Sequence, residues 1–429
     1  MKNMKIFAIL AAIVVIAAGA GVALYLNNDS QNDSYRSQNT DGRLMIFGNA
    51  NNDDYIDQGD ITALEKIIAN PTEIKDHPLA DANQDGTVDQ RDIDMVKQMI
   101  NREKMTLYYL NGNGDIKTVD YPLERVVVVG TNAMLTVRAI GAVSAGKVVG
   151  VTGEKNKDAV LFSDVKDIAK VSTSILVANP EAVVDIGDVD AIITMNSAVY
   201  VKNESTFTNS GIEVIRVACS NNEQDVSTAL TLGYMMQLEE RANKYAQFCD
   251  GVLDHVSGIV ANLIDNQKKT CLCVTMTNSV SGTPSDYYKL TELAGGKNLA
   301  DWNEVTQKYT VGGEWLLEEK YQADYIVHYS QWSYSPDTDY QSIYDKLSVN
   351  FTEMDAYQEG NYVLINGYLP DIVRLAYTAA VFYPDLFGED YGDQVHQQYI
   401  DAFVDNLHEA DYKVTDASFV ISQASLRAT

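Results

Sequence analysis

Two stretches of this 429-residue chain place oxygen-bearing side chains at the spacing a hard divalent cation requires. In the second of them Asp81, Asn83, Asp85, Thr87, Asp89 and Asp92 stand at positions 1, 3, 5, 7, 9 and 12 of a loop whose sixth position is Gly86. Calcium takes six or seven oxygens, and a glycine at position 6 lets the backbone turn sharply around the ion. Thr87 would offer its backbone carbonyl, Asp89 a bridging water and Asp92 both carboxylate oxygens. The same spacing occurs 32 residues earlier as Asn49, Asn51, Asp53, Tyr55, Asp57 and Asp60. There Asp54 takes the glycine position, where a left-handed backbone would cost it something, and Asn49 replaces a carboxylate. Two calcium ions are expected, the second loop holding its ion more tightly.

Each loop runs into a helix, and the helices repeat in register. Ile61, Leu64, Ile67 and Ile68 match Ile93, Val96, Met99 and Ile100, an i, i+3, i+6, i+7 stripe on which two helices can pack. Neither loop follows a convincing helix, and position 12 is Asp where an EF-hand prefers Glu. The duplicated loop-helix over residues 45–103 resembles a type I dockerin, the module that plugs into a cohesin domain. The resemblance implies a small all-α calcium-binding domain and a cohesin partner, with loop positions 10 and 11 helping to choose it. Those positions are Gln58 and Gly59 in the first repeat, Gln90 and Arg91 in the second. The alternative is a pair of metal-free acidic loops between amphipathic helices.

Upstream, Lys2 and Lys5 precede an apolar run from Ile6 to Leu26. As a helix, the run would span about 30 Å, one bilayer crossing. Residues 1–27 read as an uncleaved transmembrane signal-anchor, with Ala17 to Ala23 offering the cleavage site that would instead leave the protein secreted. Basic residues ahead of the run place the bulk of the chain on the extracellular face of the membrane. Residues 28–44, rich in Asn, Asp, Ser and Gln, read as a linker. Against 60 Asp and Glu stand 32 Lys and Arg, a net charge of −28 with no basic run, which excludes nucleic acid as partner. The four cysteines form no CxxC pair, so a zinc site or redox motif is not indicated and buried free thiols are the default.

From Thr106 the pattern changes to α/β. Leu107 to Leu110 and Ile116 to Val119 flank Asn111-Gly-Asn-Gly114, a hairpin signal. Arg125-Val-Val-Val-Val129 reads as a strand buried on both faces of a parallel sheet, followed by a helix to about Ile140 and by strands at Val148 to Val151, Ala191 to Thr194 and Val214 to Val217. This gives an N-terminal α/β lobe over 106–223. A spanning helical segment over 224–266 and a C-terminal α/β lobe over 267–429 follow. The lobes share an element: Asn179-Pro-Glu181 leads to Asp190-Ala-Ile-Ile, and Gly313-Glu314-Trp-Leu-Leu leads to Asp324-Tyr-Ile-Val. Two such lobes joined by a single long helix would hold a ligand in a cleft.

The region from Thr106 onward resembles the substrate-binding proteins of ABC importers for ferric siderophores, haem and cobalamin. The carriers are Pro122-Leu-Glu-Arg125-Val-Val-Val-Val, Ile140-Gly-Ala with Val148-Val-Gly-Val, the shared helix-strand element, and the segment Glu292 to Asp301. The resemblance implies a binding protein rather than an enzyme, and an ABC permease dimer that receives one glutamate from each lobe; matched by position these are Glu181 and Glu314. Pocket residues in this fold come from loops after strand ends, here Thr131, Asn132, Thr152, Asn196, Asn278, Tyr329, Trp332, Tyr334 and Tyr368. Arg374 can pair with an anionic ligand or lie on a surface helix. With 26 tyrosines in the chain, aromatic faces and hydroxyls suit a flat, partly apolar metal chelate. Family members for bare zinc or manganese use clustered His and carboxylates; of His77, His255, His328, His396 and His408 only His328 falls on a matching loop, which disfavours a bare transition-metal ion.

The rival readings are a dockerin-borne glycan-degrading enzyme, with Glu318 and Glu319 or Asp337 and Asp339 as its acids, and a non-transporting surface tether. No GxSxG, HExxH, Walker or GxGxxG motif stands in the right context.

Overall fold

The computed structural model describes residues 43–428 except 154–157, 175, 198, 276–277 and 311–312, so the run Ile6 to Leu26 lies outside the described residues. Among those described, no helix is long and apolar enough to cross a membrane. The chain divides into two compact units, with the boundary between Gln247 and Phe248.

The first unit opens with the duplicated loop-helix. Helices α1 (Gln58–Ala69) and α2 (Gln90–Ile100) are capped by Asp57 and Asp89, whose side chains accept from the backbone N–H groups of Gly59 and Arg91. Asp60 and Asp92 reach back to the N–H groups of Asp57 and Asp89 at 2.7 and 2.8 Å, closing a capping box on each helix. The residues that start each helix are thus also the candidate ligands at loop positions 9 and 12. Ile61, Leu64 and Ile67 are buried with Ile93, Val96 and Met99, whereas Ile68 and Ile100, at 38% and 37% exposure, fall outside the stripe. Gly86 is left-handed, with φ of +89°, but Asp54 is not; the first loop turns at Asn52 instead, as the second also does at Gln84. Asp54 spends its carboxylate on Arg43 in a two-pronged ion pair whose side chains are 9% and 3% exposed. Arg43 and Leu44, read as the end of a linker, are therefore part of the fold.

This region is built onto the α/β lobe. The hairpin of β1 (Met105–Leu110) and β2 (Ile116–Tyr121) gains a third run of chain, because Phe47 donates to the Tyr108 carbonyl and Leu110 to that of Met45. Ile46 bridges to Tyr109 between them and is fully buried. On the other side the Tyr234 hydroxyl donates to the Met99 carbonyl at 3.1 Å, and the Tyr234 ring stacks on Tyr121 at 5.5 Å. Met45 donates its N–H to Thr231, and Ser227 donates to the Arg43 carbonyl.

The lobe's sheet contains β3 (Val126–Val129), β4 (Val148–Val151), β5 (Ala169–Lys170), β6 (Ala191–Met195) and β7 (Glu213–Val217), all parallel, in the order β5-β4-β3-β6-β7. Every residue of β3 is buried, as its valine run requires. Helix α3 (Thr131–Ala139) leaves β3, and the short α4 (Pro180–Val184) precedes β6. The chain steps from β3 to one edge and then restarts at β6 toward the other. The carboxyl ends of β3 and β6 therefore flank the switch point where such sheets take ligands. Edge strand β7 is covered by the hairpin tip, Gly112 donating to the Arg216 carbonyl at 2.7 Å. Within the helical segment 224–266, α5 (Asn222–Met235) ends before a left-handed Gln237, and the long α6 (Glu239–Val260) then runs across the unit boundary. Gly233 permits the close crossing, since a Cβ there would lie 2.4 Å from that of Ala242.

In the second unit β8 (Thr270–Thr275), β12 (Tyr325–Ser330) and β13 (Tyr362–Asn366) form a parallel core, extended by β10 (Lys297–Asn298). Antiparallel β9 (Ser279–Ser281), β11 (Gln307–Tyr309) and β14 (Val420–Ile421) form its margins. Helices α7 (Asp286–Leu293), α8 (Tyr340–Ser348), α9 (Asp371–Phe382) and α10 (Tyr391–Phe403) pack around it. All four cysteines are free and buried.

Two histidines are fully buried in this unit, and burial holds His328 down at about 4 and His396 at about 3. Unfolded imidazoles take up a proton near pH 6.5, the folded ones only at these lower values. Their contribution is complete above the unfolded value and is lost as pH falls, at about 1.4 kcal/mol per pH unit for each. Urea titrations at pH 6.5 and 4.5 should therefore differ by about 4 kcal/mol from these two groups. His396→Gln should halve that dependence, and an unchanged dependence would contradict the assignment.

Candidate functional site

The two calcium-type loops share most of their internal hydrogen bonding, the bond from Gly86 to Asp81 being particular to the second. In the second, Asp85 donates its N–H to Asp81 and Asn83, Gly86 to Asp81, Thr87 to Asp85 and Asn83 to Asp92. In the first, Asp53 donates to Asn49 and Asn51, Tyr55 to Asp53 and Asn51 to Asp60. Backbone amides thus hold the oxygens of positions 1, 3, 5 and 12 around each loop. Asp60 is fully buried and is pushed up to about 7, chiefly by that burial and further by the charges of Asp53 and Asp57. Asp92 is raised for the same reason, with Asp81 as its charged neighbour. A buried carboxylate crowded by carboxylates is the environment a cation relieves, so the residues fit calcium. Among the described residues no group of three or more His, Cys, Asp and Glu is gathered to hold a metal ion, so these loops would draw on their Asn side chains and backbone carbonyls as well as on carboxylates.

Of the residues tied by resemblance to cohesin choice, Gln58 and Gln90 are exposed. A Cβ on Gly59 would lie 2.8 Å from the Asn51 amide and 2.9 Å from the Asp57 carboxylate, so this position has little room for a side chain over the first loop. Arg91 folds back over the second loop, pairing with Asp89 at 2.7 Å and with Asp85, while 62% of its side chain stays exposed.

At the strand ends of the first unit most of the sequence-derived pocket residues serve the fold. Asn132 donates its amide to the Cys219 carbonyl at 2.9 Å and Asn196 to that of Gly112 at 3.0 Å. Thr152 is fully buried and accepts from the Gly130 N–H. Thr131 alone of the four keeps a buried hydroxyl without a partner, at the switch point. A cavity of about 430 Å³ lies elsewhere in this unit, lined by Met45, Tyr109, Arg216 and Thr228 among others, but Arg216 is already bound to Glu204 and to four carbonyls.

At the strand ends of the second unit the aromatic side chains turn inward. Tyr329, Trp332, Tyr334 and Tyr368 are 0–5% exposed, contrary to the expectation that they present open faces to a ligand. Trp332 donates to the Ser418 carbonyl, and Tyr334 packs on His396 and Phe419. The alternation places Gln331 and Ser333, not the aromatics, toward the outside. Asn278 is left-handed and forms the turn into β9.

Arg374 is not on a surface helix face but 6% exposed, with Asp371 accepting from its Nη2 at 2.6 Å. Its Nε and Nη1 make no hydrogen bond of ordinary geometry, although the Tyr287 hydroxyl lies near enough to interact with the guanidinium. The guanidinium lies 5.1 Å from the ring centre of Tyr287 and 5.9 Å from that of Tyr329, and these two rings are 5.5 Å apart. Burial works against its charge, but Asp371 and the flanking tyrosines hold the guanidinium protonated. This cluster sits where β12 and β13 end, and half-buried Tyr287 is its open side. Sequence reading missed Tyr287 and Asp371; the i, i+3 spacing of Asp371 and Arg374 was the available signal.

Glu181 and Glu314 are both exposed, each in the first turn of a short helix. The acids considered for glycan hydrolysis have structural partners or face water: Glu318 pairs with Lys320, Asp339 caps α8, and Asp337 is exposed.

Residues 48–101 match the family of type I dockerin domains. No curated protein matches the chain. Among solved structures it is similar to the TroA-like periplasmic binding protein FepB from Veillonella parvula, at 18% identity over 69% of this chain and 96% of that one, with a TM-score of 0.57. It is similar to the molybdate periplasmic binding protein MolA of a Haemophilus influenzae ABC transporter, at 12% identity, covering 70% and 98% of the two chains, with a TM-score of 0.56. A third is CeuE of Helicobacter pylori in a nickel–histidine complex, at 13% identity, covering 71% and 99%, with a TM-score of 0.54. A dockerin region followed by an α/β periplasmic-binding-protein fold is the architecture of this chain.

Proposed function

We propose that the protein is the extracytoplasmic substrate-binding component of an ABC importer for a metal chelate, carrying a calcium-loaded dockerin that recruits a cohesin. The carrying observation is the buried Arg374 in its tyrosine cage at the ends of β12 and β13, with two nitrogens that make no hydrogen bond of ordinary geometry and Tyr287 partly open. A planar cation between aromatic rings suits a ligand with both anionic oxygen and a flat apolar face. Fold neighbours binding molybdate and a nickel–histidine complex support this class of cargo over a sugar. Binding and release, not turnover, is the activity.

In this reading the dockerin takes two calcium ions, the second loop holding its ion more tightly, and Gln58, Gly59, Gln90 and Arg91 face the cohesin. Glu181 and Glu314 dock on the permease dimer. Residues 1–27 anchor the protein to the outer face of the cell membrane.

Native mass spectrometry of the protein from its source, with cargo retained, tests the class of ligand. Arg374→Lys should weaken binding of that cargo about tenfold and Tyr287→Ala about threefold, read by quenching of tryptophan fluorescence. Unchanged affinity in both variants would move the site elsewhere, and turnover of a glycan would replace the reading altogether.

A further inference from the structure

Each unit carries the same exposure pattern behind its exposed glutamate. In Glu181-Ala182-Val183-Val184 and in Glu314-Trp315-Leu316-Leu317 the first and fourth residues are exposed, the second is half-buried and the third is buried. Val183 and Leu316, at 0% and 2% exposure, anchor the two turns in their cores. Val184 and Leu317 leave 51% and 54% of their surface in water. Residues three apart on a helical turn are neighbours, so each glutamate stands beside a bare aliphatic side chain. The scaffolds differ, an α-helical turn capped by Asn179 in one and a 3₁₀ turn after Gly313 in the other, yet the presented pair is the same. Among the described residues neither glutamate carboxylate has a hydrogen-bond or ion-pair partner.

We infer that Val184 and Leu317 are the apolar half of a two-part epitope, presented once by each unit. Its occupant is a membrane permease dimer with two like sockets, each a basic side chain beside an apolar depression. The inference rests on the permease-docking reading of Glu181 and Glu314 and supplies what that reading lacks. A contact between exposed charges is weak and screened by salt. Covering a half-exposed aliphatic side chain is neither long-ranged nor salt-sensitive. The unpaired carboxylates call for a basic partner, and the duplication calls for a partner with two equivalent sites.

The test is binding of the full chain to its source cell's ABC permease in nanodiscs, measured at low and high salt. V184S and L317S should each weaken binding about threefold to tenfold at both salt levels. E181Q and E314Q should weaken it mainly at low salt. V349S, at a 61% exposed valine outside both turns, serves as the control and should change nothing. If the glutamate variants weaken binding and the serine variants do not, the epitope is wrong and the docking reading stands. If neither pair matters, or the unaltered chain does not bind the permease, both fall. If the serine variants alter only self-association in sedimentation, the occupant is a second copy and the inference is overturned.

Discussion

Chelating calcium is expected to lower the melting temperature of the entire unit that ends at Gln247, not merely to unfold the loop-helix repeat. The reason is the seam. Ile46 is buried beside Tyr109, the 45–47 run hydrogen-bonds to β1, and Tyr234 of α5 donates to the Met99 carbonyl at the end of α2. Unfolding the repeat would strip these partners from the hairpin and from α5 together. At a calcium concentration a thousandfold above the dissociation constant, each ion stabilises the folded form by about 4 kcal/mol. For a unit of this size the second loop's ion alone corresponds to about 10 °C of the fall on chelation, and the more weakly held first-loop ion adds to it. Calorimetry with calcium and with a chelator measures it directly. Asp92→Asn, which keeps the size of the capping residue while removing a ligand charge, should reproduce most of the fall. Asp60→Asn should reproduce less, because the first loop begins with Asn49. A lobe that melts at the same temperature under both conditions would show the repeat to be energetically separate.

Gly112→Ala is expected to destabilise the same unit by about 3 kcal/mol, near the upper end for an overpacked site. A Cβ there would lie 2.6 Å from both the Ala218 nitrogen and the Val217 carbonyl carbon, and 3.0 Å from the Val217 Cα. These are backbone atoms of β7 and its exit, so no rotamer change can relieve the clash. The hairpin tip must lift, losing its hydrogen bonds to the Arg216 carbonyl and from the Asn196 amide. Gly258→Ala makes the contrast. It lies within α6 with nothing within 4 Å of its would-be Cβ, and the change should stabilise by about 0.5–1 kcal/mol. Equal effects in denaturant titrations would refute the account.

The parts of the molecule that were legible in the sequence are those whose signal is local. Calcium-loop spacing is complete within twelve positions, so Asp81 to Asp92 could be read without knowing their surroundings. The valine run of β3 and the Asn179-Pro-Glu181 helix start are likewise self-contained. What was not legible depends on which way a side chain faces after the sheet has formed. The loop after β12 has aromatic residues at Trp332 and Tyr334, and only the packed lobe shows that alternate residues there turn inward toward Ser418, His396 and Phe419. Arg374 could be a surface charge or a buried one, and its burial follows from Asp371 one turn earlier together with two tyrosine rings from other elements. Asn132 and Asn196 have the polarity of ligand-binding residues, but both satisfy carbonyls distant in sequence, a demand that no local pattern announces.

The strand-like run at 45–47 has a mechanical consequence. A module on a flexible tether of n residues lets its cargo domain roam over roughly 5–6 Å times the square root of n, in any orientation. Here the repeat and the lobe share a hydrogen-bonded ribbon and the bond from the Tyr234 hydroxyl to the Met99 carbonyl, so no swivel separates them. A partner gripping the repeat would therefore aim the lobe as well as hold it, and the scaffold's geometry would decide which way the lobe points.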